Sequence, residues 1–214
     1  MSVEASLWMA DADAMADGDL LRLCEWLSAS EMARHRRFVR AQRQRQFVAG
    51  RVLLRMALGS LLGVAPRDIE LEDIPGGAPL LKAPKVRGRV PGFSIAHSGR
   101  WVACAVSAQT TLGLDIEMRD TQRDLAALAA QAFDADEMAQ WARLQALDEA
   151  QRVAGFYGLW SGKEARFKLG GTAHAHRSDV PHDELSIVLY SALPLAAPPR
   201  MELVTLPSSP QPIP

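Results

Sequence analysis

Apolar positions along the chain switch between two periods. "DLLRLCEWL" and "VLLRMALGSLLGV" repeat every three or four residues, the spacing of one helix face. They predict two helices over 19–63, with Ser28 or Ser30 capping the second at "SASEM" and the run ending at Gly63 and Pro66. "IELEDIPGGAPLL" alternates briefly and then enters a Gly/Pro turn, which predicts a short strand. "GFSIAHSGRWVACAVS" predicts a hairpin turning at Ser98 and Gly99, and "TLGLDIEM" a further strand. Helical spacing returns over 122–133, 135–145 and 149–169, the last stopping at Gly170 and Gly171, and "DELSIVLYS" predicts a late strand. Both halves of the chain therefore combine helix and strand, with the second beginning near residue 109. Seven of the thirteen prolines lie between Pro194 and Pro214, so the tail is expected to be irregular or mobile.

The long helix carries an anomaly. With Val153 as origin and about 100° per residue, Phe156, Trp160 and Phe167 fall at roughly 300°, 340° and 320°, and Tyr157 at about 40°. Glu164 lands at about 20°, inside that apolar stripe, with Lys163 and Lys168 on its margins. A buried carboxylate is costly unless paired or ligating a metal. The plain alternative is a solvated Glu164–Lys168 pair one turn apart.

A second acidic feature sits on the strand "TLGLDIEM". Alternation sends Leu112, Leu114 and Ile116 to one face and Gly113, Asp115 and Glu117 to the other. Adjacent carboxylates repel, and a hard divalent cation relieves that repulsion. Gly113 is expected to leave the surface bare for a ligand. An exposed edge strand with ordinary surface acids is the competing reading. If Glu164 faces this strand, three carboxylates form an oxygen-rich Mg²⁺ site.

Composition narrows the class. The 214 residues are 48% hydrophobic and 23% charged, with a formal net charge of −1, as in a soluble globular protein of one large or two small domains. Cys24 and Cys104 make neither a metal spacing nor a disulfide framework. With no basic n-region and no apolar run of membrane-span length, the expectation is a soluble cytoplasmic protein. The near-neutral total hides an uneven distribution: Arg34 to Arg55 holds eight arginines and no acid. Guanidinium forks suit phosphate, so the block is a solvated face, a nucleic-acid patch or a pocket for a phosphate-rich small molecule. Only Phe38 and Phe47 offer stacking surfaces within it, which argues against nucleic acid.

Taken in order, "RHRRF" (34–38), "AGRVLLR" (49–55), "FSIAHSGRWV" (93–102), "GLDIE" (113–117) and "WSGKEARFK" (160–168) resemble the 4′-phosphopantetheinyl transferases, of the larger surfactin-synthetase-activating type. The likeness covers roughly 28–170. It implies a pseudo-twofold pair of similar α+β subdomains with the active site between them. The halves would be 1–108, the coenzyme A-binding basic region, and 109–193, carrying the metal and catalytic motifs, followed by the tail 194–214. It implies transfer of the phosphopantetheine arm of coenzyme A to a serine of an apo acyl or peptidyl carrier protein, with Mg²⁺, releasing adenosine 3′,5′-bisphosphate.

Residue by residue, Asp115, Glu117 and Glu164 match the Mg²⁺ ligands, with Asp115 also beside coenzyme A. Lys168 matches the lysine on a coenzyme A phosphate, Lys163 a second basic position, and His97 and Arg34 contacts of the 3′-phosphate end. Ser94, Ile95 and Ala96 match the segment leading to that histidine, and either Glu164 or Glu137 the group that takes the serine proton. The resemblance implies a monomer, with no nucleic-acid or membrane partner. Three departures stand out. Ala78 replaces a lysine of the usual Gly-Lys-Pro turn, Ser94 and Ala96 stand where Asn and Ser are common, and the family's final strands are not evident. They leave open a non-catalytic relative that binds carrier protein or coenzyme A. The histidines of "GGTAHAHRSDVPHD" are expected in a mobile polar loop rather than a metal tract.

Overall fold

In the computed structural model, which describes residues 3–172 and 174–208, the chain is α+β. It opens on a strand absent from the expectation above, β1 (Ser6–Asp11). Three helices follow, α1 (Asp17–Cys24), α2 (Ala29–His35) and α3 (Ala41–Leu62). Ser28 caps α2 in a full capping box with Glu31. The single helix expected beyond Ser28 is instead broken at 36–40. The break turns Phe38 inward onto Phe47, with ring centroids 5.4 Å apart, and leaves Arg36, Arg37 and Arg40 in solvent.

Strands β2 (Glu70–Glu72) and β3 (Leu80–Ala83) form a small ribbon, and β4 (Gly92–Ser98) and β5 (Trp101–Ser107) form the expected hairpin. Next come β6 (Leu112–Met118), α4 (Leu125–Ala132), α5 (Ala135–Leu144) and α6 (Glu149–Leu169). The chain continues with β7 (His176–Asp179), β8 (Leu185–Ser191) and β9 (Met201–Leu203). Two expectations need correcting. The polar segment after Gly171 is not simply a loop: His176–Asp179 pairs antiparallel with β8, and Arg177 clamps it by donating to Gly158 O and to Asp179. The proline-rich tail is not irregular throughout: Met201–Leu203 runs parallel to β1 and Leu206 is buried. Both segments are too short to show a period, and Met201–Leu203 in addition depends on a partner distant in sequence. Residues 209–214 of that tail lie outside the described residues.

The elements stack in layers. Helix α3 covers one face of a four-stranded sheet of order β4-β5-β1-β9, burying Val48, Val52 and Leu53 against Val102, Cys104 and Val106. The opposite face of that sheet, with Met9 and Ala103, packs on Leu114, Ile116 and Ile187 of a three-stranded sheet of order β6-β8-β7. Helix α6 covers the far side of this second sheet. Apolar burial at roughly 25 cal/mol per Å² is the main force holding such layers together.

Beneath the arginine block lies a buried ionic knot. Glu31, fully buried, accepts from Arg55 at 2.5 and 3.1 Å and pairs with Arg51 at 3.2 Å. Asp73 pairs with Arg51 at 2.7 Å and Arg34 at 2.9 Å. Three of the eight arginines are thus paired with these two acids, Arg51 and Arg55 inside the fold and Arg34 at its edge. The block is neither a solvated face throughout nor a continuous basic patch.

Candidate active site

The two sheets meet where β4 runs beside β6, and side chains join them there. Ser94 Oγ accepts from Leu114 N and Ser98 Oγ from Met118 N, both at 2.9 Å, while Ser98 donates to Glu117 Oε2 at 2.8 Å. No side chain fits at Gly92, where a Cβ would lie 2.0 Å from Thr110 O, and Gly99 holds a positive φ of 54° that disfavours one. Along β4 the pleat turns Phe93, Ile95 and His97 toward α3. Ala96 turns the other way, into the inter-sheet core, at 2% exposure. Any ligand role of Ala96 therefore rests on its backbone.

Strand β6 alternates as expected, and Gly113, Asp115 and Glu117 face α6. The bare surface at Gly113 is not left for a ligand, however. A Cβ there would lie 2.0 Å from Ala165 O and 2.6 Å from Leu169 N, so the backbone of α6 fills the space. That approach seats Asp115, 6% exposed, under the helix.

The apolar stripe of α6 also changes course. Val153, Phe156 and Tyr157 bury against α4 and α5, but Ser161, Gly162, Ala165 and Leu169 are the buried positions of the last turns. The helix packs first on helices and then on the sheet, so its buried face rotates along its length. Glu164 thereby leaves the core and is half-buried, and Phe167, placed by periodicity in the apolar stripe, is 80% exposed.

Lys168 does not pair with Glu164. Its Nζ donates to Asp115 Oδ1 at 2.8 Å and to Leu114 O at 3.0 Å. Burial raises the Asp115 carboxyl pKa; Lys168 and Ser161 oppose the shift, and the Glu164 charge adds to it. Burial likewise raises that of Glu117, against the Ser98 hydrogen bond, and the Asp115 charge adds to it. The three carboxylates are thus electrostatic neighbours. Asp115 Oδ2 and Ser161 Oγ are both buried and close enough for the hydroxyl to favour the carboxylate, yet neither makes a hydrogen bond of good geometry among the described residues. Among the described residues no three His, Cys, Asp or Glu side chains are already gathered as a metal cage.

Beside these acids opens a cavity of about 430 Å³. Its walls come from the N-terminal part of α3, the 76–79 turn, β4 and the end of α6. Of the sequence candidates, Arg34, Ser94, Ile95, His97 and Lys168 line it. Asp115 reaches it only through Lys168. Lys163 and Glu137 do not line it; they pair with each other at 2.5 Å, and Glu137 Oε2 also accepts from Asp134 N at the start of α5. The Glu164 side chain makes no ion pair or hydrogen bond among the described residues.

The structure adds cavity residues that the sequence candidates omit: Phe38, Arg43, Phe47, Arg51 and Phe167. The arginine block was the available signal, but composition does not tell an arginine facing a cavity from one in the core. Arg43 Nη1 lies 2.8 Å from His97 Nε2 and 3.0 Å from Nδ1. Solvent reaches the His97 ring, yet protein surrounds it on most sides. Desolvation, with the charges of Arg43 and Lys168, lowers its pKa to about 4. Ala78 lies in the cavity wall, and the nearby Lys82 pairs with Glu72 at 2.8 Å and does not line the cavity. Of the remaining histidines, His182 Nδ1 accepts from Glu184 N and Leu185 N, a turn-closing role.

Comparison with known proteins agrees across both halves. A family model for the N-terminal part of 4′-phosphopantetheinyl transferases matches residues 15–109, and one for the 4′-phosphopantetheinyl transferase superfamily matches 111–187. The chain is 31% identical over 180 residues to the 4′-phosphopantetheinyl transferase HetI of Nostoc, covering 84% of this chain and 74% of that protein. A putative 4′-phosphopantetheinyl transferase of Synechocystis is 32% identical over 145 residues, covering 68% of this chain and 57% of that protein. The 4′-phosphopantetheinyl transferase Sfp of Bacillus subtilis is 29% identical over 170 residues, covering 79% and 69%.

Proposed function

This chain belongs to the 4′-phosphopantetheinyl transferase superfamily, and we propose that it moves the phosphopantetheine arm of coenzyme A onto a serine of an apo acyl or peptidyl carrier protein. The observation that carries this reading is the adjacency of two unlike environments. A cavity with arginine, histidine and aromatic walls suits a nucleotide with several phosphates. Directly beside it stand Asp115, Glu117 and Glu164, with the Asp115 charge opposed by Glu164 and opposing Glu117, joined to the cavity by Lys168.

The donor set fits a hard divalent cation. It is all oxygen, and the buried Asp115 Oδ2 is without a partner. Asp115, Glu117 and Glu164 are the residues that would hold Mg²⁺, which when bound neutralises charge on phosphoryl oxygens. The protein's own groups do the rest. Arg34, Arg43 and His97 hold the phosphate-bearing nucleotide end, and Lys168, at the junction, neutralises the diphosphate.

The carrier serine Oγ attacks the β-phosphorus, and the bond from that phosphorus to the bridging oxygen breaks. Adenosine 3′,5′-bisphosphate leaves with the electron pair. The serine proton passes to Glu164, directly or through water; Glu137 is the weaker candidate because Lys163 and the α5 cap already occupy its carboxylate. The N-terminal half supplies most of the nucleotide walls, the second half supplies the acids and closes the cavity with Phe167 and Lys168, and we read the enzyme as a cytoplasmic monomer of two halves dividing near residue 109.

The test is intact-mass spectrometry of an apo carrier protein incubated with this protein, coenzyme A and Mg²⁺, with and without chelator. The expected result is a gain of one phosphopantetheine arm that chelator prevents and that Glu164→Gln abolishes while the circular-dichroism spectrum is kept. No gain on fatty-acid, polyketide and peptide carriers, with coenzyme A still bound, would favour the non-catalytic relative.

A further inference from the structure

The cations of the cavity are not equivalent. Arg34 is paired with Asp73, Arg51 with Asp73 and Glu31, and Lys168 with Asp115. Arg43 alone among the cavity's arginines and lysine has no carboxylate partner among the described residues. Its neighbours are neutral or cationic: Nη1 donates to Gln46 Oε1 at 2.9 Å and meets the His97 ring, and Arg34 is close enough to repel it. The guanidinium lies 5.8 Å from the Phe38 ring centroid, and Phe38 packs on Phe47, so an aromatic pair holds it at the cavity wall. The facing turn, Gly76 to Pro79, brings no charge of its own. A guanidinium in a cavity, without a counter-charge and beside other cations, is an arrangement that an anion completes.

We propose that Arg43 is the specificity-determining residue for a phosphate monoester on the nucleotide, so that it selects the 3′-phosphorylated form of the donor over the form lacking that phosphate. This rests on the coenzyme A reading of the cavity and assigns its discrimination to one side chain. His97 acts with Arg43 rather than as the primary anchor. Its ring is already engaged by the guanidinium, and a dianionic phosphate arriving there offsets the Arg43 and Lys168 charges that, after desolvation, lower the imidazole pKa. Arg34 and Arg51, each held by carboxylates, shape the wall and contribute less net charge.

The experiment measures binding of coenzyme A, dephospho-coenzyme A and adenosine 3′,5′-bisphosphate by calorimetry. It compares the full chain with Arg43→Gln and Arg43→Lys, and pairs binding with the ratio of kcat/KM for the two donors. The full chain is expected to prefer coenzyme A to dephospho-coenzyme A. In Arg43→Gln that preference falls by about tenfold to a hundredfold, the range set by losing a charge-assisted contact. Arg43→Lys restores part of it, since a point charge remains without the planar fork. Unfolding midpoints of the variants report any general damage, which would weaken all three ligands alike and leave the ratio untouched. An unaltered ratio in a folded Arg43→Gln protein that still binds coenzyme A overturns the assignment of Arg43 alone. If the full chain binds neither coenzyme A nor adenosine 3′,5′-bisphosphate, the reading of the cavity falls and takes the assignment with it.

Discussion

Lys168 Nζ stands 2.8 Å from Asp115 Oδ1, so the last turn of α6 is tied to the middle of β6 by an ion pair at the mouth of the cavity. Asp115 is 8% exposed at its side chain and Lys168 31%, which puts the carboxylate inside and the ammonium at the boundary. That one contact links the acidic cluster to the nucleotide cavity.

Lys168→Met therefore removes both a structural partner and a phosphate contact. Leaving the buried carboxylate with an unmade bond is expected to lower stability by about 1–3 kcal/mol in urea unfolding. Transferase kcat/KM is expected to fall by at least about a hundredfold. An unchanged urea midpoint would mean that Asp115 takes its second donor from Ser161 instead.

Gly113→Ala tests the close approach of α6. The added methyl meets Ala165 O and Leu169 N, both backbone atoms that cannot rotate away. The expected cost is about 3 kcal/mol or more. Activity should fall in the folded fraction too, because Glu164 and Lys168 move with the helix. A fully active variant of normal stability would mean that the helix does not approach the strand this closely in solution.

The His97 ring sets a pH dependence. Its folded pKa of about 4 lies below the ordinary value of 6.5, so between those values the unfolded chain holds more protons than the folded one. Stability consequently rises with pH across that window and is lost as pH falls from 6.5 toward 4. Solvent in the cavity screens the effect, which should stay below about 1 kcal/mol. Thermal unfolding of His97→Gln against the parent chain from pH 4 to 7 checks it: the difference between the two should slope across the window and flatten above it.

Phe167→Ala separates function from stability. The side chain is 80% exposed and lines the cavity. Its removal should alter unfolding free energy by less than about 0.5 kcal/mol. Coenzyme A affinity is expected to weaken about threefold to tenfold, through lost apolar contact. Unaltered affinity by calorimetry would place the bound nucleotide away from the end of α6.

Much was legible in the residues themselves. The period of the apolar positions located α1, α3, α4, α5, α6, the β4–β5 hairpin, β6 and β8, because each buries one face against a neighbouring layer and repeats long enough to show it. Ser28 marked a helix start and Gly170 a helix end, since capping is local chemistry. The alternation of β6 put Asp115 and Glu117 on one face for the same reason. What the sequence left undecided was how elements beyond the β4–β5 hairpin pack on one another. Strands β1 and β9 exist as parts of a sheet only through partners far along the chain, and β7 is too short and polar to show a period apart from β8, the strand that follows it. The face of α6 that is buried changes where it passes from helices to sheet, which moved Glu164 and Phe167 out of the core. Tertiary contacts also sorted the eight arginines: Glu31 and Asp73 claimed Arg34, Arg51 and Arg55, while Arg43 was left facing the cavity. A local pattern records how a residue suits its own element; which charge finds a counter-charge is decided only when distant elements pack.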